Sequence, residues 1–569
     1  MFPLRFKTAV ALVLLGLLTL LAGVGQKTIW APSATFTASA PSDAAAAPLT
    51  VIDQKLRTQQ GGTVKINIEG DGNFLLAVGR PDDVDAWVGK TAHNTVTGVS
   101  GKKDALVVEH ADGEATAPNP AGSDLWVSTE SASGQLEYTW TPPADGQWSL
   151  MLAADGSQPA PSSISMTFPN DTSTPWAVPL MAIGGLLILA GIALAFLSAR
   201  KRDGEGDSRG SLFARRARAN VEARPSSRLS MVSGGMVTAA VTAAVVALSG
   251  APANAATSPA PAPSMESAST APAQPSSPVL LDAQFRRILE QVSSATDAGD
   301  AARDAAKLAG RVAGTELEVR TQNYKIRSQV GTYEARMPVR STKLLTTVVT
   351  SDHSWPRSVL AVTQGDGNVV PQLLVLVQPS ARENYRLTGT TPLQPGTTFP
   401  AIRRDGTDTL PANGKDGLLY SGEEALAGLA DRLTNSESSF KDKLVEGASS
   451  PYIADTLSYQ AEVVASGANG NFSFTHNVVP ESTVVFRTAD GGALVMGRIN
   501  FGFDGTPKAS GDKLTIGDDA AALAGGKETT TGMVLNFAES MAVYVPPAGS
   551  TDPMKLVAAT RGLVGASFK

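Results

Sequence analysis

Arg200-Lys201-Arg202, then Arg209, Arg215-Arg216, Arg218, Arg224 and Arg228, then an apolar run from Met231 to Leu248 closing in Ala253-Asn254-Ala255-Ala256, is the stretch on which the architecture turns. Basic residues beside apolar segments stay on the cytoplasmic side of a membrane. The run Trp176–Leu197 just before it is uncharged and matches the roughly 20 residues that a spanning helix needs. This predicts a transmembrane helix over 176–198, a basic cytoplasmic loop over 199–230 and an extracytoplasmic region over 28–175. Residues 231–256 have two readings. One is a third transmembrane helix, with Gly235, Ala239 and Ala243 as a small-residue stripe against a membrane-protein partner. The other is an internal signal-like segment with a small-x-small end at Ala253 and Ala255. Either reading exports the chain after Ala256.

Working outward, residues 1–27 hold a Leu-rich uncharged run, Thr8–Gly25, behind Arg5 and Lys7. It is read as an N-terminal transmembrane anchor leaving the membrane through Trp30, with a cleaved signal peptide as the rival. The expected location is the cell membrane, multi-pass, in contact with the lipid bilayer, with both large domains extracytoplasmic.

The whole chain, 569 residues with net charge -6, is too long for one core. It carries no basic footprint for nucleic acid. It has no cysteine, which excludes disulfides, thiolate nucleophiles and Cys-ligated metals. The histidines, His93, His110, His353 and His476, are scattered, without the paired spacing of a zinc helix.

In 28–175, Ala31–Pro48 reads as a tether. Short strands come next: Val64, Ile66 and Ile68 alternate, Asp71-Gly72 is read as a turn, and Phe74–Val78 returns. Leu106–Val108, Leu125–Val127, Leu136–Trp140 and Trp148–Leu152 continue the series, which predicts an all-β, sandwich-like ectodomain. Trp87, Trp126, Trp140 and Trp148 are read as core, against a sugar-stacking face. Asp82-Asp83-Val84-Asp85 offers carboxylates to a hard cation, though a solvated loop is the plainer reading. Gly89-Lys90-Thr91 lacks the upstream glycine of a phosphate loop, with Val84 in its place.

Residues 257–278 form a Pro/Ala/Ser linker. Leu281, Phe285, Ile288, Leu289 and Val292 share a helix face, and Gly299 is expected to part a second helix bearing Ala302, Ala305 and Leu308. Strands are expected at Val348–Thr350, Ser358–Val362 and Leu373–Val377. Ser421 caps a second helix, with Glu423 and Glu424 in its first turn. Val484–Phe486, Ala493–Met496, Ile499–Phe503, Met533–Phe537, Met541–Val545 and Leu556–Ala559 succeed it as strands. Helices before antiparallel strands, twice, predict two α+β units, 279–418 and 419–569, of NTF2-like or cystatin-like form.

Two stretches, Val78-Gly79-Arg80-Pro81-Asp82-Asp83-Val84-Asp85-Ala86-Trp87 and Gly122-Ser123-Asp124-Leu125-Trp126, with Asp145-Gly146-Gln147-Trp148, resemble uncharacterised actinobacterial membrane proteins. Trp355-Pro356-Arg357 and Ala489-Asp490-Gly491-Gly492-Ala493-Leu494-Val495 resemble an actinobacterial extracytoplasmic domain of unknown function, sometimes labelled a glycosyltransferase. The resemblance implies a cell-envelope protein and brings no catalytic, cofactor or metal residues.

Ser438-Ser439-Phe440-Lys441 spells Ser-x-x-Lys but lacks the accompanying Lys-Thr-Gly. Asp352-His353 lacks a serine elbow. The function expected is therefore non-catalytic: extracytoplasmic modules that bind or position an envelope glycan or lipid, or a membrane-protein partner. A glycan- or wall-modifying enzyme is the alternative.

Overall fold

The structure, a computed structural model, describes residues 4–59, 62–141, 147–203, 277–449 and 451–569. The segment Met231–Leu248, with Gly235, Ala239 and Ala243, lies outside them. The chain forms two compact units, each with its own contacts.

The first unit is a helical hairpin, α1 (Leu4–Lys27) against α4 (Ala177–Asp203). Both are long and apolar enough to cross a membrane, with mean hydropathy 2.3 and 2.6 over Phe6–Lys27 and Ala177–Leu197. Small residues recur every seventh position on both: Ala9, Gly16 and Gly23 meet Gly191, Gly184 and Ala177 in antiparallel order. A Cβ at Gly184 would stand 2.5 Å from the Leu20 nitrogen, so the backbones touch and only glycine fits. Bulky side chains such as Leu14, Leu18, Leu186 and Leu189 point outward and are exposed.

The second unit begins with a strand-built module. Its elements are β1 (Thr35–Ser39), β2 (Leu49–Ile52), α2 (Lys55–Gln59), β3 (Val64–Gly79), α3 (Pro81–Val88), β4 (His93–Val99), β5 (Leu106–Ala111), β6 (Ser128–Trp140), β7 (Ser149–Ala153) and β8 (Ser163–Pro169). All eight strands belong to one sheet, ordered β1-β8-β3-β7-β2-β4-β5, with β6 also on β3. A bridge from Ser39 to Ala105 joins its two ends, so the sheet curls on itself around Ile66, Leu76, Trp140, Trp148, Leu150 and Phe168. Two facing sheets, as a sandwich requires, are not what forms. The reason is β3, whose two halves serve different neighbours: Lys65–Glu69 pairs with β8 and Leu75–Gly79 with β7. Asp71-Gly72 is accordingly a bulge inside one strand and not a hairpin turn. The expected tether also folds: β1 lies within it, and Ala38 and Ala47 are buried.

The remaining residues add α5 (Asp282–Ala302), a 3₁₀ turn at Ala305–Leu308, α6 (Gly314–Gln329), and strands β9 (Lys343–Val349), β10 (Arg357–Gln364), β11 (Gln372–Gln378) and β12 (Arg386–Pro392). Next come β13 (Thr409–Leu410), α7 (Gly422–Thr434), β14 (Leu444–Val445), α8 (Tyr452–Ser466), β15 (Gly470–Arg487) and β16 (Ala493–Pro507). Last are β17 (Leu514–Thr515), α9 (Asp518–Ala524), β18 (Glu528–Thr529), β19 (Met533–Val545) and β20 (Met554–Phe568). Gly299 does not break α5; it is buried, and a Cβ there would meet the Leu308 side chain at 2.5 Å. The turn at Asp490-Gly491-Gly492 is as expected: Gly491 has φ +85, and Asp490 accepts from the Gly492 nitrogen at 3.1 Å.

Four strands, β12-β11-β10-β9, make one sheet; six, β13-β15-β16-β19-β20-β14, make another. Alternate side chains settle how they stack. Val359, Ala361, Leu374 and Leu376 pack beneath α5 with Phe285, Ile288 and Val292. Their neighbours Leu360, Val362, Leu373 and Val375 pack against Phe486, Leu494, Met496 and Ala542 of the second sheet. That sheet's other face, Val495, Ile499, Met541 and Val543, meets Leu426 and Leu429 of α7. The order is helix, sheet, sheet, helix, so the two predicted units, 279–418 and 419–569, share a core instead of standing separately. The fold is mixed α/β, with its strands gathered into sheets of eight, four, six and two.

Candidate functional site

The first place where chemistry concentrates is the seam between the strand-built module and residues 277–569. Helix α3 opens with Pro81, which suits a first helical turn, and turns Asp83, Val84, Trp87 and Val88 inward. Asp83 Oδ1 accepts from Arg357 Nη1 at 2.6 Å, and both side chains are fully buried. Burial pushes the Asp83 carboxyl up, while Arg357 and Arg80 pull the other way. Arg357 also donates to the His353 carbonyl at 2.7 Å and lies 3.6 Å over the Trp355 ring, next to the cis Trp355–Pro356 bond. Arg382 donates to the carbonyls of Trp87 and Val88, each at 2.8 Å, where a helix C-terminus favours a cation. Asp124 takes Arg311 at 2.6 and 3.1 Å and the Tyr385 nitrogen at 2.8 Å.

The stretches around Asp83, Asp124 and Arg357, far apart in sequence, thus meet in one buried network. Within the Asp82–Asp85 cluster, Asp83 is spent on Arg357, and Asp82 faces His353 at 3.5 Å. Among the described residues no group of three or more His, Cys, Asp or Glu is placed to hold a metal. Trp140 and Trp148 are core of the curled sheet, and Trp87 and Trp126 pack together in the seam at 5.8 Å. Thr91 Oγ1 accepts from Arg382 at 2.6 Å, which gives Gly89-Lys90-Thr91 a structural part. Ser438 donates to Asp431 and Lys441 pairs with Glu437, so the Ser-x-x-Lys motif does not assemble. His353 Nε2 donates to the Ser277 carbonyl, 3.0 Å away, as part of the seam.

The second place is a cleft of about 550 Å³ where the two facing sheets diverge. Val375, Thr391 and Gly389 come from one sheet; Val484, Met496 and Ser540 come from the other. Thr391 Oγ1, and Thr483 Oγ1 nearby, are buried without a hydrogen-bond partner among the described residues. Buried hydroxyls are seldom left so unless water or a ligand serves them. None of the described residues lining the cleft is aromatic. At its rim Arg498 pairs with Glu318 of α6 at 2.6 Å.

A third cluster has the residue types of acid–base chemistry. Glu539 accepts from Tyr452 at 2.9 Å and from Arg561 at 2.8 Å, and His476 stands 3.7 Å from it. The His476 and Glu539 side chains are entirely buried. Burial and Arg561 lower the His476 pKa to about 3. Neither His476 nor Glu539 lines the inter-sheet cleft, so the pair has no route to a substrate there. The cluster has no signature in the sequence, because single polar residues inside apolar strands carry no motif.

The family described as a domain of unknown function (DUF8094) matches residues 276–567, just over half of the chain. The chain belongs to that family. No curated protein matches the chain, and no solved structure matches it. The family match covers α5 to β20, both facing sheets and the cleft, and leaves the strand-built module outside.

Proposed function

We propose that the protein is a non-catalytic cell-envelope protein, anchored in the membrane by α1 and α4, whose inter-sheet cleft holds an amphiphile with an aliphatic body. The observation that carries this reading is the cleft itself, where Val, Leu and Met side chains alternate with Thr and Ser, with unpartnered hydroxyls and an Arg–Glu pair at the rim. Pockets of roughly 300–1,000 Å³ that are mostly apolar with a few placed polar groups suit such ligands. A lining without aromatic rings argues for an acyl chain over a stacked sugar.

Topology supports the envelope assignment. Residues 32–172 lie between two candidate spans, so they emerge on one side. Residues 277–569 share buried ion pairs with them, which supports a reading with both on the same side. On this reading the segment Met231–Leu248, outside the described residues, is the proposed return crossing. The basic residues after Leu197 put the cytoplasm on the opposite side.

The test is mass spectrometry of organic extracts from the full chain purified in detergent. A lipid held at fixed stoichiometry is expected, and Gly389→Phe should remove it. A Cβ at Gly389 meets nothing nearer than 3.8 Å, so the ring has room to enter the cleft. Thr391→Val, which keeps the shape and removes the hydroxyl, should weaken retention without unfolding. An empty wild-type protein, or retention unchanged in both variants, would overturn the proposal.

A further inference from the structure

A separate cavity of about 510 Å³ lies beside β20. Its walls are Asn323 of α6, Tyr333 and Arg336 of the following loop, Arg561 and Gly562 of β20, and Asp519 of α9. It shares no residue with the inter-sheet cleft. Three of these groups, Arg336, Asn323 and Asp519, have capacity to spare, and the fourth, Arg561, is already paired. Arg336 makes one hydrogen bond, to the Arg561 carbonyl at 3.4 Å, and takes part in none of the ion pairs among the described residues. Burial lowers its pKa. Arg561 is held rigid by Glu539 at 2.8 Å and Thr456 at 3.1 Å, 4.5 Å over the Phe501 ring. Asn323 donates to the Glu334 carbonyl at 2.8 Å, yet its Oδ1 is buried with no donor. Asp519 accepts from the Ala520 nitrogen at 2.8 Å and meets no cation among the described residues, whereas Asp518 is taken by Lys527.

We infer that this cavity is a second binding site, for a short zwitterionic peptide whose carboxylate meets Arg336 and whose ammonium meets Asp519 and Asn323 Oδ1. The physical case is complementarity of both signs. A guanidinium fork binds a carboxylate through two parallel charge-assisted bonds. An ammonium brings three donors and no acceptor, which is what an orphan amide oxygen and a free carboxylate require. A simple anion would leave Asp519 and Asn323 unanswered; a simple cation would leave Arg336 so. The cavity's size, about 510 Å³, favours a short peptide over a single amino acid. No strand addition is involved, since Leu393 already bridges Ala558 and Gln394 takes the Val557 carbonyl at 2.8 Å. Gly562 keeps α6 close there, since a Cβ would stand 2.5 Å from Val319 Cγ1.

The experiment is isothermal titration of the full chain in nanodiscs with alanyl-alanine, with acetate and ethylammonium as single-charge probes. The dipeptide should bind saturably and at least tenfold tighter than either probe. Arg336→Ala should weaken it at least tenfold, while the cleft variant Thr391→Val leaves it unchanged, which separates this site from the proposed amphiphile cleft. If Arg336→Ala does not fold, Asp519→Asn, at a part-exposed position, gives the same readout. No saturable binding in the millimolar range, acetate binding as well as the dipeptide, or full affinity in the folded variant would overturn the proposal.

Discussion

The molecule has two internal seams of opposite chemistry. The seam between the strand-built module and the family domain is closed by buried charge: Asp83 on Arg357, Asp124 on Arg311, Arg382 on the end of α3. The seam between the two facing sheets is closed by aliphatic side chains such as Leu360, Leu373, Leu494 and Ala542, and it opens at one end into a cleft. Charge tolerates no slack, because each buried ion must keep its partner. Apolar packing is non-directional, so it can stop short and leave a cavity. Alignment belongs to the first seam, and open volume to the second.

The largest expected effect tests the charged seam. Arg357→Ala leaves Asp83 buried and unpaired, and should cost about 3–5 kcal/mol of unfolding free energy in denaturant melts. Asp83→Leu with Arg357→Met should recover most of that loss; if the double variant is as damaged as the single, alignment is not the role of the pair. Leu360→Ala in the apolar seam should cost about 2–5 kcal/mol, the lower end if the sheets collapse onto the cavity. A loss confined to one region's melting, with the other untouched, would show that the sheets do not share a core.

A smaller effect concerns pH. Unfolded His476 gains its proton near pH 6.5, but the folded residue does so only near pH 3. Between those values the unfolded state binds more protons, so stability falls as pH drops, by up to about 1.4 kcal/mol per unit. Glu539 acts in the opposite sense, since burial raises its pKa; its contribution is present at low pH and fades as pH rises through the folded value. The difference between wild type and His476→Gln isolates the histidine, and equal slopes from pH 6 to 4 would contradict its burial in neutral form. The smallest is local: Ser421 caps α7 in a reciprocal box with Glu424, and Ser421→Ala should cost about 1 kcal/mol.

Legibility in the sequence depends on which residues bury apolar surface. The helix face of α5, the cap at Ser421, the Asp490 turn and both apolar helices are written in periodicity or turn chemistry. Helix α6 is harder to read because Glu316, Arg320 and Asn323 share its buried face with Val319, Tyr324 and Ile326, and Arg320 is held by bonds to Glu316 at 2.6 Å and Asp300 at 2.7 Å. Helix α8 has only Ile453, Thr456 and Gln460 buried. Long strands read as pairs of short ones: Met533–Phe537 and Met541–Val545 are one β19, interrupted in hydrophobicity by the buried Glu539. The seam is legible only as motifs of unknown use, because Asp83 and Arg357 acquire meaning through contact across 274 positions. Small residues stand out on Met231–Leu248, whereas the described stripes are those of α1 and α4, hidden by leucine content.

One measurement bears most directly on the joined body and its side of the membrane. The chain has no cysteine, so a single introduced thiol is the only one. Asp112→Cys on the strand-built module and Val369→Cys on the family domain both sit at exposed positions. Treated with a membrane-impermeant maleimide on intact, wall-stripped cells, both variants should label without lysis. Labelling of one from outside and of the other only after lysis would contradict the account.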